Sequence, residues 1–203
     1  MNGIDAIVFD LGNTLLAFDE SLAVKRVAAR TGKTPQQIYE YARSTPYVTE
    51  LALGKITKLR FFYTVARDLE FEGTYEEFAL IWSDIFTPIE PMMTLAQSLK
   101  HRLPRLLLSN TNGIHMDYVF QHYPFLQEFD AHILSHEVGL LKPDLAIFQY
   151  AVKTYGLTPD RTVFLDDIAA NAEAARHAGM KAIHFQNFDQ ARAELTKLGV
   201  SPI

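Results

Sequence analysis

Five residues, far apart in the sequence, stand where side chains do chemistry: Asp10, Ser109, Lys142 and the adjacent pair Asp166-Asp167. Asp10 directly follows the apolar run Ala6-Ile7-Val8-Phe9, Ser109 follows Leu106-Leu107-Leu108, and the acidic pair follows Val163-Phe164-Leu165. Lys142 lies in Gly139-Leu140-Leu141-Lys142-Pro143, ahead of a helix expected to start at or near Pro143, since proline is favoured at the first helical position. Taken singly, each has a plainer reading. An Asp or Ser after a strand often caps the next helix, and a lone lysine is usually a solvated surface charge. The ordered set is harder to dismiss: a carboxylate, a hydroxyl, a lysine, then two carboxylates side by side. Adjacent carboxylates repel, so the pair points to a cation such as Mg²⁺, which takes a few carboxylates and keeps its other positions for water and substrate phosphate.

The elements that must bring these groups together are legible from periodicity. Short uninterrupted apolar runs ending in polar clusters read as strands buried on both faces of a parallel sheet. Ala131 to Leu134 and Ala182 to Phe185 are weaker strands of the same kind. Helical spacing separates them: Met92, Leu95, Leu99; then Leu145, Phe148, Val152, Tyr155; then Ala172, Ala175, Ala178 before the stop at Gly179. Alternating strands and helices predict an α/β fold, whose site lies off the carboxyl ends of the strands where the strand order reverses. Asp10, Ser109 and Asp166-Asp167 all fall there.

Between about residues 17 and 90 the rhythm changes. No strand is evident, and four helical patterns follow one another: Leu22, Val24, Val27, Ala28; Ile38 to Ala42; Leu59, Phe62, Val65, Leu69; Phe78, Ile81, Trp82, Ile85. Gly32 with Pro35, Ser44-Thr45-Pro46, Gly54 and Gly73 supply the turns, and Pro88 and Pro91 mark the return. The expected organisation is an α/β core of residues 1–16 and 90–203 with an all-helical insertion at 17–89.

Composition narrows the function classes. The chain has 203 residues, 48% apolar and 21% charged, with a net charge of −5 and no cysteine, which suits a globular chain without disulfides or a thiolate zinc site. No apolar stretch reaches the roughly 18 residues of a membrane helix, and the start Met1-Asn2-Gly3-Ile4-Asp5-Ala6 lacks the pattern of a signal peptide. A mildly acidic chain with no Lys/Arg run is a poor binder of phosphate backbones, so neither membrane nor nucleic acid is the expected partner and the cytoplasm is the expected location. No oligomeric state follows.

Phe9-Asp10-Leu11-Gly12-Asn13-Thr14-Leu15, Leu108-Ser109-Asn110-Thr111-Asn112, Gly139-Leu140-Leu141-Lys142-Pro143 and Phe164-Leu165-Asp166-Asp167 with Asn171 resemble, in order, the four motifs of the haloacid dehalogenase (HAD) superfamily. The resemblance spans nearly the whole chain, with the helical insertion at the place of that family's C1 cap. In detail it is nearest the subgroup containing bacterial α-D-glucose-1-phosphate phosphatases. It implies a Rossmann-like core and a phosphatase of a small phosphorylated metabolite, such as a sugar phosphate. Asp10 would be the nucleophile, forming an aspartyl-phosphate. Mg²⁺ would be held by Asp10, the Gly12 carbonyl and Asp167, with Asp166 acting through water. Gly12, Asn13, Ser109, the Asn110 amide and Lys142 would surround the phosphoryl group, and Asn171 would orient the acidic pair. Substrate choice would reside in the cap.

One position departs from the family pattern. Two residues beyond the nucleophile most family phosphatases carry an aspartate that protonates the leaving oxygen; here it is Gly12, and general acid–base help is typically worth about 10²–10⁴ in rate. Asn13 cannot titrate in its place. Three outcomes stay open: an acidic leaving oxygen that departs unaided, as in a sugar 1-phosphate or acyl phosphate; a proton from a cap residue or ordered water; or a slow enzyme or a ligand-binding protein. Metal-independent 2-haloacid dehalogenation also needs no acid, although the acidic pair argues against it. Within the insertion, Tyr47, Thr49 and Glu50 near a turn, and Arg43, are candidate specificity contacts or simply exposed. Phe61, Phe62, Tyr63 and Trp82 read as cap core, and His115 is the one histidine expected near the pocket, where it packs or faces solvent.

Overall fold

The computed structural model describes residues 3–200, so Met1 and Asn2 of the leader reading lie outside the described residues. Five parallel strands form the central sheet in the order β5-β4-β1-β6-β7: β1 (Ala6–Phe9), β4 (Arg105–Ser109), β5 (Ala131–Leu134), β6 (Thr162–Asp166) and β7 (Lys181–His184). Every residue of β1, β4 and β6 is buried, as their unbroken apolar runs require. Side chains alternate between faces. Ile7 and Phe9 pack with α6 (Glu90–Ser98), α7 (Gly113–His122) and α11 (Phe188–Lys197) through Met92, Leu95, Val119 and Leu195. Ala6 and Val8 face α9 (Leu145–Tyr155) and α10 (Ala169–His177) through Ile147, Phe148 and Ala175. The expected α/β fold is therefore the observed one. The two weak strands are present as well, β7 one residue earlier than its pattern suggests.

Five helices follow β1 in sequence: α1 (Glu20–Ala28), α2 (Pro35–Ser44), α3 (Tyr47–Ala52), α4 (Lys58–Leu69) and α5 (Tyr75–Ser83). Asp19, Thr34, Thr57 and Thr74 cap four of them through side-chain oxygens, Thr34 and Thr74 in reciprocal capping boxes with Gln37 and Glu77. Their apolar faces meet in a second core built on Val27, Ile38, Phe61, Phe62, Val65 and Phe78. Two details differ from the sequence reading. The insertion is not free of strand at its edges, because β2 (Leu16–Phe18) and β3 (Phe86–Pro88) pair antiparallel; three residues each are too few to display an alternating pattern. Tyr47, Thr49 and Glu50 lie on α3, a six-residue helix with no side-chain cap to announce it. The helix expected at or near Pro143 is α9, which begins at Leu145 with Asp144 as its cap, the Asp144 side chain accepting from the Ala146 amide.

The insertion packs onto the sheet domain at two places. On one side α5 lies along α7: Ser83 Oγ donates to the Ile114 carbonyl at 3.1 Å and Tyr118 Oη to Asp84 at 2.7 Å. On the other, the α3–α4 turn meets α8 (Ser135–Val138), and Lys58 pairs with Asp117. Gly54 lies in this turn at φ +66°, and a Cβ there would overlap the His136 carbonyl oxygen, so both backbone conformation and space demand glycine. Among the described residues no helix is long and apolar enough to cross a membrane. Gly54→Ala should therefore lower unfolding free energy by roughly 2 kcal/mol or more, from strain plus overlap with backbone. Urea denaturation measures this, and a loss under about 0.5 kcal/mol, the level of an ordinary surface change, would show that the turn yields freely.

Candidate active site

The parallel register of β1 with β6, Phe9 opposite Leu165, brings Asp10 and Asp166 to the same edge of the sheet. The Asp10 amide donates to the Leu165 carbonyl at 2.9 Å, which fixes the backbone there. Lys142 reaches between them from the loop before α9. Its Nζ is 2.6 Å from Asp10 Oδ1, 2.7 Å from Asp166 Oδ2 and 3.0 Å from the Leu108 carbonyl oxygen. Asp10 Oδ1 also accepts from the Leu11 amide at 2.7 Å, so both donors converge on Oδ1 and Oδ2 takes no hydrogen bond among the described residues. Asp166 is fully buried and saturated: Asn171 donates to both its oxygens at 2.9 and 3.0 Å and the Ile168 amide to Oδ1 at 2.8 Å.

Asp10, Asp166 and Asp167 each present an oxygen within 4.8 Å of the others. Lys142 is the cation paired with this group among the described residues, so three carboxylates face one ammonium. Burial pushes the Asp10 carboxyl up to about 7 against the pull of Lys142, with Asp166 adding to the rise. Burial and the neighbouring Asp166 likewise raise Asp167. An all-oxygen donor set short of positive charge fits a hard divalent cation such as Mg²⁺.

The remaining predicted residues fall around this cluster with one change of role. Ser109 ends β4 and is buried. The Asn110 side chain is spent on the loop that carries Lys142, accepting from its amide and donating to its carbonyl, both at 2.8 Å. Only the Asn110 backbone amide remains for a phosphoryl oxygen. Asn13, at φ 50°, reaches Asp167 with its side chain and offsets part of that carboxyl's rise. Gly12 bridges to Leu16, and a Cβ at position 12 would lie 2.9 Å from the Phe18 ring. Phe18 is a site residue that the sequence reading missed, since an aromatic six positions beyond Gly12 carries no signal of a hairpin folding it back. His115 is half-buried, its ring packed against Trp82 and Phe86. Arg43 is exposed and donates to Tyr39 Oη at 3.1 Å.

A family model described as haloacid dehalogenase-like hydrolase matches residues 4–179. The chain belongs to that family. Among curated relatives, the D-ribitol-5-phosphate phosphatase of Bacteroides thetaiotaomicron is 26% identical over 201 residues, covering 95% of this chain and 97% of that protein. The drimenol cyclase of Aspergillus calidoustus is 38% identical over 74 residues, and this HAD-like chain matches only 14% of its length. A HAD family enzyme of Bacteroides thetaiotaomicron, solved with magnesium and inorganic phosphate, shares the fold at a TM-score of 0.82 and 23% identity, over 91% of this chain and 95% of that one.

Electrostatics of the HAD-like site set a pH dependence with a definite sign. The Asp10 carboxyl binds its proton more tightly folded, at about 7, than at its ordinary 3.8. Between those values the folded state holds more protons, so the stability contributed by Asp10 is fully present below 3.8 and lost as pH rises through about 7. In EDTA, Tm should fall across that window relative to Asp10→Asn, a comparison that cancels the opposite slope from His115, whose pKa is lowered to about 4. Millimolar Mg²⁺ should raise Tm and flatten the slope; identical profiles with and without the ion would remove the metal from the site.

Proposed function

We propose that the chain is a Mg²⁺-dependent phosphatase that hydrolyses a small phosphorylated metabolite through an aspartyl-phosphate on Asp10, working in the cytoplasm. The observation that carries this reading is the cluster of buried Asp10 and Asp166 with half-buried Asp167 around a single lysine. Likeness to a sugar-alcohol phosphate phosphatase along nearly the whole chain, and of fold to an enzyme holding magnesium and phosphate, supports it. Asp10, the Gly12 carbonyl, Asp166 and Asp167 would hold the ion, with Asp167 as the direct ligand and Asp166, already saturated, acting through water. Bound there, Mg²⁺ offsets the repulsion between a carboxylate and a phosphate and polarises the phosphoryl oxygens. Asp10 Oδ2 attacks phosphorus in line while Oδ1 stays on Lys142 and the Leu11 amide. The bond from phosphorus to the leaving oxygen breaks and that oxygen keeps the electron pair; water then cleaves the acyl phosphate and restores the carboxylate. Lys142, Ser109 and the Asn110 amide stabilise the phosphoryl oxygens, with Gly12 and Asn13 lining the same space and Asn171 holding Asp166 in place. Residues 17–89 serve as the cap over a core of 1–16 and 90–203, excluding water and supplying the specificity contacts.

The leaving group is constrained by Gly12. With no titratable side chain at that position and the Phe18 ring in its place, the leaving oxygen departs without a proton from residue 12. Ribitol 5-phosphate leaves as a primary alkoxide, which profits most from an acid, so this chain suits a more acidic oxygen: a sugar 1-phosphate or an acyl phosphate. Halide also leaves without an acid, but three carboxylates gathered with no metal would repel strongly, which weighs against dehalogenation.

Phosphate release should require Mg²⁺ and fall by about 10³ or more in Asp10→Asn, because nucleophile and intermediate are lost together. Sugar 1-phosphates should turn over faster than their 6-phosphate isomers. Gly12→Asp, which the half-exposed Phe18 ring can accommodate by swinging outward, should help the 6-phosphates by roughly 10²-fold and the 1-phosphates far less. Equal rates across leaving groups would defeat the leaving-group argument, and halide release from 2-haloacids without metal would replace the phosphatase reading.

A further inference from the structure

β6 ends at Asp166, and the chain bends away from the sheet at Asp167. Across that end, three successive carbonyl oxygens are met by donors from different parts of the chain. The Leu165 carbonyl accepts from the Asp10 amide at 2.9 Å, and the Asp166 carbonyl from the Phe185 amide just past β7 at 2.8 Å. Asp167 has left the ladder, and no backbone amide among the described residues reaches its carbonyl. A side chain does so instead: His184 Nε2 lies 3.0 Å from the Asp167 carbonyl oxygen. A carbonyl oxygen can only accept, so Nε2 carries a proton and the imidazole is the donor.

That imidazole stands on a fixed mount. The β6–β7 register sets His184 opposite Asp166 on the neighbouring strand. Side chains alternate along β7, so with Ile183 turned into the core of α6, α7 and α11, His184 shares the α10 face with Ala182. The Gln190 side chain, in the first turn of α11, donates to the His184 carbonyl at 3.1 Å, and its oxygen accepts from the Gln186 amide at 3.1 Å. The last residue of β7 is thus held by α11 and in turn holds the Asp167 peptide. Of the three carboxylates, Asp167 depends most on such support. Asp10 is fixed by Lys142 and the Leu11 amide, and Asp166 by Lys142, Asn171 and the Ile168 amide. Asp167 is half-buried, and its carboxyl is met by the Asn13 side chain and its own amide.

We propose that His184 is a positioning residue for the metal site: its Nε2–H bond to the Asp167 carbonyl fixes the peptide from which the Asp167 carboxylate reaches a bound Mg²⁺. The inference rests on the Mg²⁺ reading of the acidic cluster and adds to it a residue outside the four motifs. Removing a group that orients a metal ligand typically costs about 10- to 100-fold in metal affinity. His184 acts through Asp167, so the effect falls on the binding of Mg²⁺ and not on the attack of Asp10 at phosphorus.

Isothermal titration calorimetry of the full chain with Mg²⁺ alone reads this directly. His184→Phe, which keeps a flat ring and loses the donor, should weaken Mg²⁺ binding about tenfold or more. His184→Gln, whose amide nitrogen can still donate, should restore most of that affinity. In phosphate-release assays the Mg²⁺ concentration for half-activation should rise in His184→Phe while kcat at saturating Mg²⁺ stays near the wild-type value, a split that a general loss of packing would not give. Unchanged Mg²⁺ affinity in His184→Phe, or an equal loss in both variants, would overturn the assignment and leave the metal site standing. Absence of Mg²⁺ binding by the wild type would overturn the metal site and the assignment together. NMR of the wild type labelled at its histidine nitrogens decides the matter even if His184→Phe does not fold. The His184 Nε2–H resonance, identified by its loss in His184→Gln, should move on saturation with Mg²⁺, and a resonance that stays in place would equally overturn the assignment.

Discussion

The structure turns on one ammonium group. Lys142 is buried between Asp10 and Asp166, with side-chain exposures of 1%, 8% and 0%, and an ion group taken so far from water survives only if every partner is held in place. The surrounding architecture does that holding. The β1–β6 register sets the two carboxylates side by side, Asn171 and the Ile168 amide pin Asp166, and the Asn110 side chain clasps the Lys142 peptide from both sides. Asn110 lies one residue past β4, so a third strand fixes the lysine loop. Sheet order, loop and charge pair are consequently one constraint seen at three scales. The charges do not balance, because Asp167 adds a third carboxylate, and this residual imbalance is the physical argument for a metal.

How much of this the sequence carried depends on the length and context of each signal. β1, β4 and β6 are runs of apolar residues buried on both faces, which no exposed element tolerates, and so they stand out along the chain. Asp10, Lys142, Asp166 and Asp167 share a property visible without coordinates: charged residues at the ends of buried runs, or in a glycine-marked loop. What stayed hidden is short or relational. β2, β3 and α3 are three to six residues long and too brief for a period. The Asn110 side chain answers to the Lys142 peptide, 32 positions away, and nothing in its type distinguishes that duty from contact with a substrate. Leu59 and Leu22 sit at helical spacing yet are 50% and 37% exposed, since a pattern shows that residues share a face but not that something covers all of it.

The helical insertion makes its influence felt through backbone more than through charge. Phe18 pairs with Phe86 across the β2–β3 ribbon, their rings 6.3 Å apart, and this pairing turns the Phe18 edge onto Gly12. A side chain at position 12 and a ring at position 18 compete for the same space. The glycine at position 12 and the aromatic wall at position 18 are therefore one feature of the shape of the site. The second anchor, at Gly54 against α8, holds the far edge of the insertion beside the loop that runs on to Lys142. With α5 fastened along α7, the insertion is tied to the sheet domain through both α7 and α8.

Gly12 and Phe18 bear on the departing oxygen alone, because residue 12 has no proton to give and the Phe18 ring stands beside it. The charge cluster is fixed elsewhere, by the β1–β6 register and by the Asn110 side chain that clasps the Lys142 peptide. A short hairpin thus sets what stands at position 12, while the sheet sets the cluster. A change at position 12 can therefore alter which oxygen departs readily and leave the buried lysine with its carboxylates in place.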